Sequence, residues 1–592
     1  MDEDKNTKEK GAVDKFVDFS AKFLAVTNVV TKLIWVVAII IIVASVIKGC
    51  QSFKKYGWSF SKNTTEIEVN EPDYELAMKA WEELDYVNAE THFDNALKSS
   101  DSKNGTGSLE SAAISQKYGA FSLEEGKYDK AYELLNSAYV TFKKELGEKD
   151  GNTIISKGQI ASYDIHMGRV EEGFALLNDL YDTTTYVSYK LQICQALAQC
   201  CIHMQDYKKA VVWYDVLGSL YSQLGVTTPL IVNFINDYGC LQMDIENYPA
   251  AIEALEGAKS KWDELNVPED ETLANVYFNL AQAYACDNQD AKAIETMNKA
   301  LEIRKRLYGE NNILVAMSYD FMAQSYGIMC DQETEKKYLD DALKIALDTV
   351  GENHMATAII YLDMGEYHRQ TGDLDKAVEC HKHALEIRKN ILGVNNINTV
   401  MVYEALANDY RESGQNELAA ENVERAIKIT EELYGRDRIY TAHTYITAAW
   451  IYSDMGDHDK AMKLAETALG ICDRQRDVAG LNRAYAYQTV GYVDLGSGDY
   501  ENAIKYFEKA KGLYTEVEGE SSSSVLTTMY FIGKAQYKNG DTDQAFKTLV
   551  DVRDKLIDTD LHKDLLEFVD DALKELYEVT DPGIDYDKWL AS

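Results

Sequence analysis

The tightest grouping of metal-binding residue types in this sequence is Cys380-His381-Lys382-His383. Thiolate and imidazole suit zinc, but a closed site needs four such groups around one point. On a helix, positions 380 and 383 share a face and 381 points elsewhere, so three ligands cannot converge from this stretch. The cysteines are Cys50, Cys194, Cys200, Cys201, Cys240, Cys286, Cys330, Cys380 and Cys472, with no CxxC pair among them. That removes the usual zinc and redox frameworks and leaves most of them as small apolar side chains. No HExxH, GxSxG, Walker A loop or kinase signature is present. The pairs Asp340-Asp341 and Asp570-Asp571 read as solvated faces. Asn63-Thr64-Thr65 and Asn104-Gly105-Thr106 fit a glycosylation acceptor, which has meaning only in a eukaryotic secretory setting. No catalytic residue, cofactor or metal ligand emerges, and the expectation is a protein that is not an enzyme.

What would have to position any chemistry is a repeat. A small residue recurs twelve times: Ala77, Gly119, Ala161, Ala198, Gly239, Ala281, Ala323, Gly365, Ala407, Ala449, Gly491 and Gly533. The spacing is 42 residues except for steps of 37 and 41 around Ala198. A fixed period of this length marks a solenoid of stacked units. Twelve positions on comes a second small residue, as in Ala89, Ala293, Ala377 and Ala461, with Glu335 as the departure. Seven further lies a third, as in Ala96, Ala300 and Ala384. Apolar spacing is helical on both sides of a short turn, so each unit is a helix pair, A then B. The turns carry Gly126, Gly372, Gly414, Gly456, Gly498 and Gly540, the left-handed residue that ends helix A. An Asp that follows can cap helix B.

This unit resembles the tetratricopeptide repeat. Its 42-residue length, with ALEIRKRLYGENN from Ala300 and HALEIRKNILGVNN from His383, is similar to the kinesin light chain type. The usual proline after helix B is missing, as is the His-Pro between kinesin light chain repeats, and no heptad coiled coil is present. The resemblance implies an all-α solenoid of about twelve helix pairs over residues 73–556, closed by an amphipathic helix at 557–579 and a tail at 580–592. It also implies a groove lined by helices A. Counting from each small residue assigns Gln282, Gln324, Glu366, Asn408, Trp450, Tyr492 and Lys534 to that groove, with Arg369 and Arg411 three positions on. Asn, Gln and Arg can hydrogen-bond a peptide backbone or carboxylate, and Trp450 and Tyr492 can anchor a partner. The expectation is a scaffold or adaptor for protein or peptide partners, with no small-molecule substrate. The alternative is a self-associating structural or assembly component of a cell envelope.

The chain starts differently. Leu33 to Ile47 is uncharged and Val30 to Ile47 nearly all apolar, long enough at 1.5 Å per residue to cross a bilayer. Residues 30–49 read as an uncleaved transmembrane helix. Residues 1–29 hold an amphipathic juxtamembrane helix on Phe16, Phe19, Phe23, Val26 and Val30. A linker follows at 50–72, opening with a belt of Phe53, Tyr56, Trp58 and Phe60. Lysines flank both sides, giving a slight lean to repeats outside the cytoplasm; the free cysteines lean the other way. The net charge of −38 leaves no basic stripe for nucleic acid. Residues 99–108 and 521–524 read as loops. The step of 37 between Ala161 and Ala198 calls for a short helix B in the third repeat, and a bend there.

Overall fold

The computed structural model describes residues 64–590 except 83–84, 126, 168, 205, 225–228, 246, 288, 330, 475–479, 560–562 and 581–584. The span at 30–49, the juxtamembrane helix and the aromatic belt lie outside the described residues. Among the described residues, 26 helices follow one another. Twenty-four form twelve A–B pairs. Repeats 1 to 4 are Pro72–Glu82 with Tyr86–Asn104, Leu109–Glu124 with Tyr128–Leu146, Gly151–His166 with Val170–Thr183, and Val187–His203 with Tyr207–Leu224. Repeats 5 to 8 are Pro229–Asp244 with Tyr248–Leu265, Glu271–Cys286 with Asp290–Tyr308, Ile313–Ile328 with Gln332–Thr349, and Met355–Gln370 with Leu374–Leu392. Repeats 9 to 12 are Ile397–Glu412 with Asn416–Tyr434, Ile439–Asp454 with His458–Arg474, Gly480–Ser497 with Tyr500–Glu518, and Ser523–Lys538 with Thr542–Thr559. None of the described helices is long and apolar enough to cross a membrane.

The crossing point of each pair is where the recurring small residue sits. Its partner lies sixteen residues on: a Cβ added at Gly119 would fall 2.7 Å from Leu135, one at Gly491 2.9 Å from Phe507 and one at Gly533 2.8 Å from Leu549. At Gly365 it would strike the His381 ring. Helix A then ends in the left-handed region, with φ of 81° at Gly372, 71° at Gly414, 81° at Gly456, 90° at Gly498 and 91° at Gly540, a conformation glycine adopts without a Cβ clash. Asp373 and Asp499 cap the next helix by accepting from the backbone N–H of Lys376 and Asn502.

Three local readings change. Residues 99–104 continue helix B of repeat 1 as far as Asn104, and Gly105 ends it with φ 86°. Ser100 is fully buried against Ser111, so packing overrides the low helix propensity of this serine-rich stretch. Ser522 is the N-cap of the last helix A, and Ser523 already belongs to that helix. In the tail, Tyr586–Leu590 forms a short helix whose Trp589 packs on Phe546 and Tyr577. Helix B of repeat 3 has 14 residues, against 19 in repeat 2. Lys563–Thr580 covers the last repeat with Leu565, Val569, Leu573 and Leu576, giving the array a capped end.

Two features join distant parts of the chain. Residues 64–71 run as a strap along the starts of successive helices A. Asn70 N donates to Glu110, Thr65 N and Oγ1 donate to Asp150, and Thr64 Oγ1 lies 2.5 Å from the Tyr189 hydroxyl. Further on, the superhelix meets itself five to seven repeats later. Tyr86 packs on His354 with ring centroids 6.3 Å apart. Leu123, Tyr128 and Tyr163 share a core with Leu392. Tyr248 and Cys286 share one with Leu481, Ala484, Ala510 and Tyr514.

Candidate partner-binding surface

The nine side chains assigned to the groove all sit on helices A, and seven of them are buried. Gln282 is 2% exposed, Glu366 6%, Arg369 4%, Asn408 3%, Arg411 3%, Trp450 0% and Tyr492 2%. Gln324 and Lys534 are half-buried. The physical reason is the closeness of neighbouring helices A, whose facing side chains bond to each other across the repeat boundary. An open wall of free anchors is therefore not what these residues form.

From repeat 7 to repeat 11 they make a polar chain. Gln324 Nε2 donates to Asp363 at 2.8 Å. Arg369 bonds Glu366 on its own helix and Glu412 on the next, the latter at 2.6 Å. Arg411 bonds Asp454 of repeat 10 and lies 3.4 Å from Glu412. The Tyr492 hydroxyl donates to Asp454 at 2.6 Å. Trp450 stacks on Tyr492 with centroids 3.7 Å apart and donates from Nε1 to Thr489 at 2.8 Å. The patch from Arg369 to Tyr492 is thus one connected network, and its arginines are engaged with carboxylates of this chain. Charge-assisted pairs of this kind are strong and geometrically specific when buried.

Lys534 stands apart. Its ammonium lies 5.6 Å from the Tyr530 ring centroid, and burial pushes it down to about 7 against the opposing pull of Glu575. Three positions before the small residue, where sequence reasoning names Asp320 and Tyr530 but not the glutamines, lies a second rung. Gln116 donates to Ser156 at 2.7 Å and Gln488 to Thr528 at 2.9 Å, each into the next repeat. The recurrence of Gln, Asn, Asp or Glu at that offset was the available signal. Of the cysteine–histidine cluster, His381 is fully buried between Asp409, 2.6 Å from Nδ1, and the Leu362 carbonyl, 3.2 Å from Nε2. His383 stacks on Tyr361 instead.

Buried side-chain oxygens without a hydrogen-bond partner also occur here, among them three on helices A and one, that of Glu335, on helix B of repeat 7. Gln282 Oε1, Asp320 Oδ1, Glu335 Oε2 and Asn408 Oδ1 are buried without a hydrogen bond. All four belong to repeats 6 to 9. Burial and the neighbouring Glu366 and Asp363 carboxylates raise Glu335 to about 8. Burial, then Asp363, raises Asp320 well above the ordinary carboxylate range. Unmet polar groups in a buried setting are costly; a donor-bearing ligand or water would satisfy the amide oxygens of Gln282 and Asn408, while protonated Asp320 and Glu335 can themselves donate.

The tetratricopeptide repeat family model matches residues 236–306, 336–390, 354–432, 398–474 and 482–554. The first four repeats are unmatched; in repeats 3 and 4 Gly173, Leu180 and Leu217 replace the regular alanines, while repeats 1 and 2 keep Ala89, Ala96, Ala131 and Ala138. No curated protein matches the chain. Among solved structures, a Rap protein complexed with competence and sporulation factor is 18% identical, over 62% of this chain and 98% of that one, with TM-score 0.44. Yeast Tom70 is 16% identical over 86% and 96%, with TM-score 0.40. BtubC (BKLC) from P. vanneervenii is 19% identical over 39% and 92%, with TM-score 0.33. Solenoids of this repeat type bind protein or peptide partners. Helix pairs and crossing points make the described chain an all-α helical-repeat solenoid, within which residues 236–306, 336–474 and 482–554 match the tetratricopeptide repeat.

Proposed function

We propose that the protein is a membrane-anchored scaffold that holds a donor-rich polypeptide, extended or basic, against helices A of repeats 6 to 9. The observation that carries this reading is the pair of buried, unbonded amide oxygens of Gln282 and Asn408, on helices A of repeats 6 and 9. Backbone N–H groups, or lysine and arginine side chains, supply the missing donors. The excess of 98 acidic over 60 basic residues attracts such a partner and speeds its encounter. The buried arginine network keeps the wall in one arrangement, so little ordering cost falls on binding. Residues 30–49 fix the scaffold to the bilayer, with the repeats on the extracytoplasmic side.

Two measurements test it. Gln282→Leu with Asn408→Leu keeps side-chain size and removes two acceptors. Retention of the partners that the intact protein captures in its own membranes is expected to fall at least tenfold. An unchanged set of partners at unchanged yield refutes the surface. For the anchor, Cys50 follows the span, and the described cysteines are buried except Cys380, which is half-buried. In a variant with both Cys330→Ser, outside the described residues, and Cys380→Ser, an impermeant maleimide added to intact cells is expected to label Cys50. Labelling only after lysis reverses the orientation.

A further inference from the structure

A half-enclosed cavity of about 110 Å³ lies between both helices of repeat 3 and helix A of repeat 4. Its walls are mainly apolar, from Ile154, Ile155, Leu177, Leu180 and Ile193. Two departures from the repeat create it. Helix B of repeat 3 is only 14 residues long. The position three before the small residue is Gly158, where every other repeat carries Asn, Asp, Glu, Gln, Leu, Ile, Phe or Tyr. A Cβ placed on Gly158 would have nothing within 4 Å. On the cavity wall, Gln159 Oε1 is buried and accepts no hydrogen bond. The space is therefore that of one missing side chain, with one acceptor beside it.

The strap brings the chain to this cavity. Tyr189 lines it, and Thr64 is held on the Tyr189 hydroxyl while Thr65 is held by Asp150 and by Asn152 Nδ2. Residue 60 lies four residues upstream of Thr64, within about 14 Å of extended chain. The stretch from 48 to 63 holds Phe53, Tyr56, Trp58 and Phe60 with Lys48, Lys54, Lys55 and Lys62, and no acidic residue. Its charge is opposite to that of the strongly acidic chain as a whole. A closed cavity that holds benzene measures roughly 150 Å³; this one has about 110 Å³ and an open mouth, so a phenyl ring enters with part of its edge left at the mouth and the larger indole does not fit.

We propose that the Phe60 side chain of this same chain occupies the cavity, with a neighbouring backbone N–H donated to Gln159 Oε1. The N-terminal segment is then clamped to the junction of repeats 3 and 4, independently of what the repeats hold elsewhere. The test is tryptic cleavage at Lys54, Lys55 and Lys62 in the full chain, in detergent under native conditions. Phe60→Ala, outside the solenoid, and Gly158→Leu, which fills the cavity, are each expected to speed cleavage at least tenfold. Gly158→Leu is expected to melt no lower than the parent, and combining the two changes to add nothing further. Unchanged cleavage in Phe60→Ala overturns the proposal, as does an equal acceleration by Trp58→Ala.

Discussion

Glu335 is the one residue that breaks the second small position of the repeat, and the structure shows what accommodates it. Gly327, four residues past the usual crossing point, leaves room for its carboxylate: a Cβ there would lie 2.7 Å from Glu335 Oε1. Buried beside Glu366 and Asp363, the group is raised from 4.5 to about 8. The native state therefore keeps a proton that the unfolded state releases above about pH 4.5. Stability from this group is full below that pH and is lost as pH rises toward 8. Glu335→Gln is expected to flatten that slope and to raise the melting temperature at pH 8 while leaving it unchanged at pH 4.5. Thermal melts of both proteins across this range decide it, and parallel pH profiles contradict it. The sequence marked Glu335 as exceptional but gave no sign of the acidic neighbours, which come from the helix of the following repeat. The nine groove residues show the same limit. Their register on helix A was legible from the spacing. That Trp450 would stack on Tyr492 and that Arg369 would be taken up by Glu412 depends on the distance between adjacent helices A, which no local pattern encodes.

At the scale of the element, the A–B crossing sets what each glycine tolerates. Gly365 faces a His381 ring held on both sides by Asp409 and the Leu362 carbonyl, so the ring cannot swing away. Gly365→Leu is expected to cost a few kcal/mol through overpacking. Even Gly365→Ala is expected to lower stability, against the usual gain of about 0.5–1 kcal/mol for that change inside a helix. Gly257, in helix B of repeat 5, has nothing within 4 Å of a Cβ, and Gly257→Ala is expected to show the usual gain. Chemical denaturation of the pair reads the contrast, and a gain at both positions refutes the crossing argument. Helix pairing, the turn glycines and the short helix B of repeat 3 were all readable from the 42-residue spacing. The extension of helix B through Ser99 and Ser100 was not, because burial against Ser111 outweighs what serine prefers in isolation.

For the whole molecule, the decisive feature is the meeting of turns five to seven repeats apart. It follows from small rotations accumulated repeat by repeat, so no single segment announces it. Its apolar contacts include Leu392 against Leu123, Tyr128 and Tyr163, and Tyr514 and Leu481 against Tyr248 and Cys286. Leu392→Asp places a charge in the first of these cores, and a buried unpaired charge is expensive. The expected result is a larger radius of gyration by small-angle scattering with helix content unchanged by circular dichroism. An unchanged radius means that the coil keeps its pitch without that contact.

A coil whose turns touch behaves under load unlike one whose turns stand apart. Pulled between an anchored first end and a loaded last end, it stays stiff until the lateral contacts part. Beyond that force it lengthens as a soft spring, because each repeat then flexes only against its neighbours. Tension carried through the solenoid would part repeats 1 to 3 from repeat 8, and repeats 5 and 6 from repeat 11. Under the proposed function, the force at which the turns separate, not the affinity of any one repeat, would set when a held partner is let go.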